Sequence, residues 1–331
     1  DLLPNATMNQ KIASGYNRLL QTSHEGGVQK KEYLAKYSAD RVRNVSNAWL
    51  GATIGCSECH DHKYDPFTQK DFYSLAAFFA DVNDDKTFSG TNTLPTKREP
   101  ELQVVSPLDV AQAKLTRTLV TGRIKPRTIR VLPRGNWLDE TGEVVEPAIP
   151  AFLGTLDTPE RATRLDLAKW LTSSDDASGV GGLTARVFVN RICAHFFVRG
   201  LVESIDDFGL RSLAPSHPEL LAWLARDFVH FAWDVQRLCK QIVLSATFRQ
   251  DSTLRPEVSL IDPTFRLLAQ GPSFPLSGPQ ARDYLLASAG VLEEGTGGAP
   301  QSPGIQPLQR SLYLVHRHAP PRPMRKDPDR C

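Results

Sequence analysis

The sequence predicts a mainly α protein with a helical N-terminal region, a connecting stretch holding a small β-hairpin, and a helical C-terminal domain. Three observations carry this. Apolar residues recur at helical spacing in the first ninety residues and again from residue 158 onward. Pro, Gly, Thr and charged residues dominate between them, with only short β-prone pieces. The 331 residues are 40% hydrophobic and 23% charged, the balance of a globular chain long enough for two domains and a substantial core.

Residues 1 to 30 combine D-L-L-P-N-A-T with Glu25-Gly26-Gly27, which predicts a loop or short helix followed by a turn. From about Lys31, Leu34, Tyr37, Val42, Val45 and Trp49 mark one face of a helix. Pro66 and Thr68 open the next one, with Thr68 as cap and Asp71 complementing the helix dipole in the first turn. Phe72, Leu75, Phe79 and Val82 form its apolar stripe. In the connecting stretch, Thr128–Leu132 and the turn at Asp139–Gly142 predict a hairpin around R-G-N-W-L-D-E.

Thr158-Pro159 reads as a cap with proline at the first helical position, leading into R-L-D-L-A-K-W-L. A loop at 173–182 precedes the helix L-T-A-R-V-F-V-N-R-I-C-A-H-F-F. S-H-P-E at Ser216–Glu219 matches a capping box, followed by Leu220, Leu224, Phe228 and Phe231 on one face. Val235, Leu238, Ile242, Val243 and Ala246 predict another amphipathic helix, and 279–292 a further one. Residues 310–317 are the best strand candidate near the end. The expected divisions are 1–90, 91–157 and 158–331.

Between the first two helices sits Cys56-Ser57-Glu58-Cys59-His60. C-x-x-C-H is the pattern of covalent c-type haem attachment. Two thiols add across the two vinyl groups of one porphyrin, and the next residue reaches the iron as axial ligand. The motif therefore predicts one haem c, bound through Cys56 and Cys59 with His60 as proximal ligand. His62 and Lys63 follow on the same turn and are candidates for local hydrogen bonding or for contact with a haem propionate. The far-side ligand is open: Met8, His24, His195 and His217 are weak candidates, since a lone histidine usually has a structural role.

A net charge of +2 makes no electrostatic case for nucleic acid or an anionic membrane. No apolar run reaches the roughly 18 residues of a membrane-spanning helix. The chain starts at Asp1 without a signal peptide, which predicts a processed or interior piece. Beyond Cys56 and Cys59, the remaining Cys193, Cys239 and Cys331 do not suggest a disulfide framework.

The chain resembles the planctomycete cytochrome-like proteins of unknown function, in which a second cytochrome c-like domain precedes a planctomycete-specific C-terminal domain. The resemblance rests on D-L-L-P-N-A-T, C-S-E-C-H-D-H-K-Y-D-P, R-G-N-W-L-D-E, L-T-A-R-V-F-V-N-R, D-D-F-G, P-S-H-P-E-L-L-A-W-L and L-S-A-T-F-R-Q. These occur in the expected order over nearly the whole chain. Cys193 and Ser212 depart from the family pattern. The resemblance implies an exported, periplasmic or cell-surface bacterial protein binding haem c, with a redox partner and a sulfatase-like companion protein. It supplies no substrate.

Two other functions compete with an electron carrier. One makes the haem catalytic, with a cleft lined by Asp206, Arg211 and His217; paired Asp206 and Asp207 can split their pKa values for acid–base work, but this pattern is more often a cap plus a salt bridge. The other makes the chain a scaffold whose Cys56, Cys59, His60 and His62, with Asp65, hold a structural zinc. Adjacent Cys59 and His60 are awkward as two corners of one tetrahedron.

Overall fold

The computed structural model describes residues 1–331 apart from 21–27, 85–98, 106–114, 174–179, 254, 274, 294–307 and 312–331. The protein is mainly helical, with two small two-stranded sheets. It forms two compact units: Asp1–Leu102 with Thr118–Ser273, and Gln103–Arg117 with Phe274–Cys331.

In the first unit, α1 (Met8–Ala13) is closed by a capping box between Thr7 and Gln10. The helix α2 (Lys30–Val45) buries Tyr37, Val42 and Val45, as the spacing predicts, and continues into a widened π turn at Ser46–Leu50 that ends on Gly51 in the left-handed region. The helix α3 (Gln69–Ala77) begins on the predicted cap: Thr68 accepts from Asp71 N–H, and Asp71 reaches back to the Thr68 backbone. Phe72, Leu75, Phe79 and Val82 are all buried.

One core joins α2, α3 and α4 (Arg164–Thr172), with Val42, Phe72, Phe78 and Trp170 almost fully enclosed. Each such side chain contributes about 1.5–3 kcal/mol by leaving water. Two buried ionic contacts brace it. Arg41 makes a bidentate pair with Asp84 at 2.8 and 2.7 Å, and Arg164 bridges Asp81 and Asp1. The predicted hairpin is present as β3 (Ile129–Arg130) antiparallel to β4 (Val144–Val145).

A second core joins α5 (Gly181–Phe197), α6 (Pro218–His230) and α7 (Val235–Leu244) through Val189, Leu224, Phe228, Leu238 and Ile242. A short α8 (Pro256–Ile261) follows. The second unit contains α9 (Gly278–Ser288), capped by Ser277 and Gln280 and ending before the predicted residue 292. The strands β1 (Glu101–Val105) and β2 (Leu115–Leu119) pair with each other and were not anticipated individually.

Four expectations need correction. The Thr158-Pro159 cap does not start a helix; α4 starts after Thr163, whose capping box with Asp166 repeats the same chemistry five residues later. Ser216 is not an N-cap: Pro218 occupies the first turn of α6, which makes His217 the cap residue, without a side-chain capping bond. The buried stripe of α6 is Leu221, Leu224, Ala225 and Phe228, whereas Leu220 and Phe231 are exposed. In α7, Leu238 and Ile242 are buried, whereas Val235 is exposed and Ala246 lies beyond the helix. The strand candidate at 310–317 lies, after Ser311, outside the described residues.

Candidate functional site

The C-x-x-C-H segment forms a 3₁₀ turn, Ile54–Glu58, in which the Cys59 N–H donates to the Cys56 carbonyl at 3.2 Å. Ile54 and Ser57 point inward, leaving Cys56, Cys59 and His60 exposed. Both cysteines are free thiols.

The inner side of the turn is held from several directions. Ser57 Oγ donates to the Phe67 carbonyl at 3.2 Å, and the His62 N–H donates to the same oxygen at 2.8 Å. The Glu58 carbonyl accepts from Tyr73 Oη at 2.9 Å and from Gln69 Nε2 at 3.0 Å, while the Glu58 carboxylate pairs with Arg43. Asp61 Oδ1 accepts the Gln69 N–H at the start of α3, at 2.7 Å. Burial, and next the charge of Cys59, pushes the Tyr73 phenol up to about 12, so it remains a hydrogen-bond donor near neutral pH. Gly135, at φ +69°, brings its backbone against Cys59; a Cβ there would meet Sγ at 2.9 Å.

His60 Nδ1 lies 2.7 Å from the Asp61 carbonyl oxygen. A carbonyl only accepts, so Nδ1 carries the hydrogen and, in the neutral ring, Nε2 keeps its lone pair. Metal-ligating histidines use this arrangement to fix ring orientation and tautomer. The donor set thus fits a covalent c-type haem: two free, exposed thiols with two residues between them, then an imidazole with Nε2 available.

His62 has a different task. Its side chain is 7% exposed, and Nδ1 accepts the Asp65 N–H at 2.9 Å, while Nε2 lies 3.4 Å from Thr53 Oγ1. It therefore ties the residue before the 3₁₀ turn to the Tyr64-Asp65 bend. Asp65 Oδ1 accepts the Leu210 N–H at 2.8 Å. With His62 and Asp65 engaged in this way, the zinc alternative loses two donors. Among the described residues no cluster of three or more His, Cys, Asp or Glu side chains is arranged to hold a metal ion.

The Asp206–Arg211 loop, expected to line a substrate cleft together with His217, packs directly against this region. Phe208 N–H donates to the Gly51 carbonyl at 2.7 Å, and Asn47 Nδ2 to the Asp206 carbonyl at 3.4 Å. Gly51 needs its left-handed backbone here, and any Cβ would meet the Phe208 ring at 2.8 Å. From α5, Arg191 donates to the carbonyls of Ala48 at 2.7 Å and Asn47 at 2.8 Å. Asp207 Oδ1 accepts the Gly209 N–H, closing a local turn, and Arg211 stacks on the Tyr64 ring instead of pairing with Asp206 or Asp207. Sequence reasoning missed this docking because the two segments are some 145 residues apart.

Of the far-side candidates, Met8 is exposed on α1, His195 is exposed on α5, and His217 caps α6 with Nδ1 3.0 Å from Ser216 Oγ. Among the described residues none is hydrogen-bonded to the Cys56–His60 turn; His24 lies outside them. Lys63 is exposed, 5.2 Å from the Tyr64 ring centroid. A cavity of about 330 Å³ abuts Glu58 and Tyr73, lined also by Leu34, Phe72 and Trp137, but not by Cys56, Cys59 or His60. No helix among the described residues is long and apolar enough to cross a membrane.

The PSCyt2 family model, a protein of unknown function (DUF1549), matches residues 1–84, which contain the C-x-x-C-H turn. The PSD1 model, a protein of unknown function (DUF1553), matches residues 163–330, starting on the cap of α4. No curated protein and no solved structure matches the chain. The two matches occur in the order anticipated from the sequence, and the chain belongs to the planctomycete family in which a cytochrome-like domain is followed by a C-terminal domain of unknown function.

Proposed function

We propose that this protein is an exported electron-transfer or redox-associated protein carrying one covalent haem c on Cys56 and Cys59, with His60 as the proximal ligand. The observation that carries the proposal is the His60 Nδ1 contact with the Asp61 carbonyl, 2.7 Å, beside two free thiols on one turn. Haem iron supplies reversible one-electron chemistry, whose potential depends on axial ligands, burial and hydrogen bonding. The chain's own contribution is positional. Asp61 fixes the imidazole tautomer, and Tyr73, Gln69 and Ser57 immobilise the backbone that presents the thiols. Export belongs to the same proposal, because these thioether bonds are made outside the cytoplasm.

The test is a pyridine haemochrome spectrum of protein exported alongside a cytochrome maturation system. The proposal predicts a thioether-type spectrum that survives denaturation and is lost in a Cys56→Ser, Cys59→Ser variant. A colourless wild-type protein under the same conditions overturns it.

A further inference from the structure

We infer that Lys63 and Arg211, stacked on Tyr64, form an anion clamp that holds the carboxylate substituents of the haem, so that the C-terminal domain supplies part of the cofactor site. This deepens the haem proposal and rests on it. Lys63 Nζ lies 5.2 Å and Arg211 Cζ 4.6 Å from the centroid of the same ring. Two like charges gathered on one aromatic side chain repel each other, yet neither has a carboxylate within ion-pairing distance among the described residues. Thirty-seven acidic residues are present in the chain, and Asp206 and Asp207 lie close to Arg211 in sequence. The Asp207 carboxylate instead serves the Gly209 N–H. An anion from outside the polypeptide is what this arrangement lacks.

The placement is fixed rather than incidental. Leu210, next to Arg211, is pinned by the buried Asp65 carboxylate, and Ser212 N–H closes the turn onto the Gly209 carbonyl at 3.0 Å. Tyr64 is part of the bend organised by His62 and follows His60 by four residues. A guanidinium held over a ring keeps N–H donors for planar, bidentate recognition of a carboxylate, and a lysine adds a second donor. A porphyrin carrying two propionates, tethered by thiols five and eight residues before Tyr64, would bring such a dianion to this stretch of chain. The two cations come from the two family-matched regions, one from each.

The full chain, made without haem, is titrated with mesohaem, whose vinyl groups are reduced so that no thioether forms, and with its dimethyl ester, whose carboxylates are masked. Wild type should bind the free acid about tenfold more tightly than the ester, and this ratio should fall to about one in a Lys63→Gln, Arg211→Gln variant. Both positions are exposed, and an unchanged urea midpoint confirms folding of the variant. No binding of mesohaem, equal binding of acid and ester by wild type, or an unchanged ratio in the variant overturns the clamp. Acid-selective binding with a negative haemochrome test leaves the clamp standing while removing covalent attachment.

Discussion

The contact between Asp65 and the 209–210 backbone makes a quantitative prediction about how the two family-matched regions are joined. Asp65 is 8% exposed and its Oδ1 accepts the Leu210 N–H at 2.8 Å. Asp65→Ala removes a charge-assisted bond to the loop, at a cost of about 2 kcal/mol. Gly209 lies on the same carboxylate: an added Cβ would fall 2.5 Å from Oδ2 and 2.7 Å from Oδ1. Because Asp65 is enclosed it cannot swing aside, so Gly209→Ala should cost about 1–3 kcal/mol through overpacking. With alanine at position 65 the obstructing oxygens are gone, and the second substitution becomes nearly neutral. The double-mutant cycle should therefore show a coupling of about 1–2 kcal/mol, the double variant being less destabilised than the sum of the singles. Urea unfolding gives the energies, and hydrogen exchange of the 205–212 peptides shows where they act. Additivity within about 0.5 kcal/mol, or unchanged exchange of that loop in Asp65→Ala, would refute the pinning of the loop by this carboxylate.

Further outcomes follow from the buried charges, caps and thiols. Asp84→Ala leaves Arg41 as an unpaired cation 3% exposed, and urea unfolding should report a loss of about 3–5 kcal/mol. Thr68→Ala removes the cap of α3 and should lower stability by about 1 kcal/mol in the same assay. Burial raises the Cys193 thiol from 9.0 to about 12, so iodoacetamide at pH 8 should modify Cys56 and Cys59 of the haem-free folded protein and spare Cys193. The sign for stability follows: this contribution is intact below the unfolded thiol's value of 9.0 and is lost as pH rises from there towards 12, which urea midpoints across alkaline pH will show.

Much of this was legible locally. The Thr68–Asp71 cap, the stripe of α3 and the hairpin turn each depend on residues a few positions apart, and the fold realises them. Where two local rules competed, the sequence pattern misled: Ser216 to Glu219 fits a capping box, but proline fixes the first helical turn and makes His217 the boundary. The α6 stripe departs from the expected one at its ends: Leu220 and Leu221 both satisfy a helical period with Leu224, and packing against α5 selects Leu221. The site divides the same way. Its thiols and imidazole are contiguous and readable, whereas the docking of Phe208, Leu210 and Arg211 onto Gly51, Asp65 and Tyr64 depends on tertiary contacts that no spacing rule encodes.

The most direct test of the haem assignment is the intact mass, under denaturing conditions, of the full chain exported with a maturation system. The account predicts a mass increase of one haem, mapped by digestion to the peptide containing Cys56 and Cys59 and abolished when both are changed to serine. An unmodified mass with both thiols titratable would contradict it.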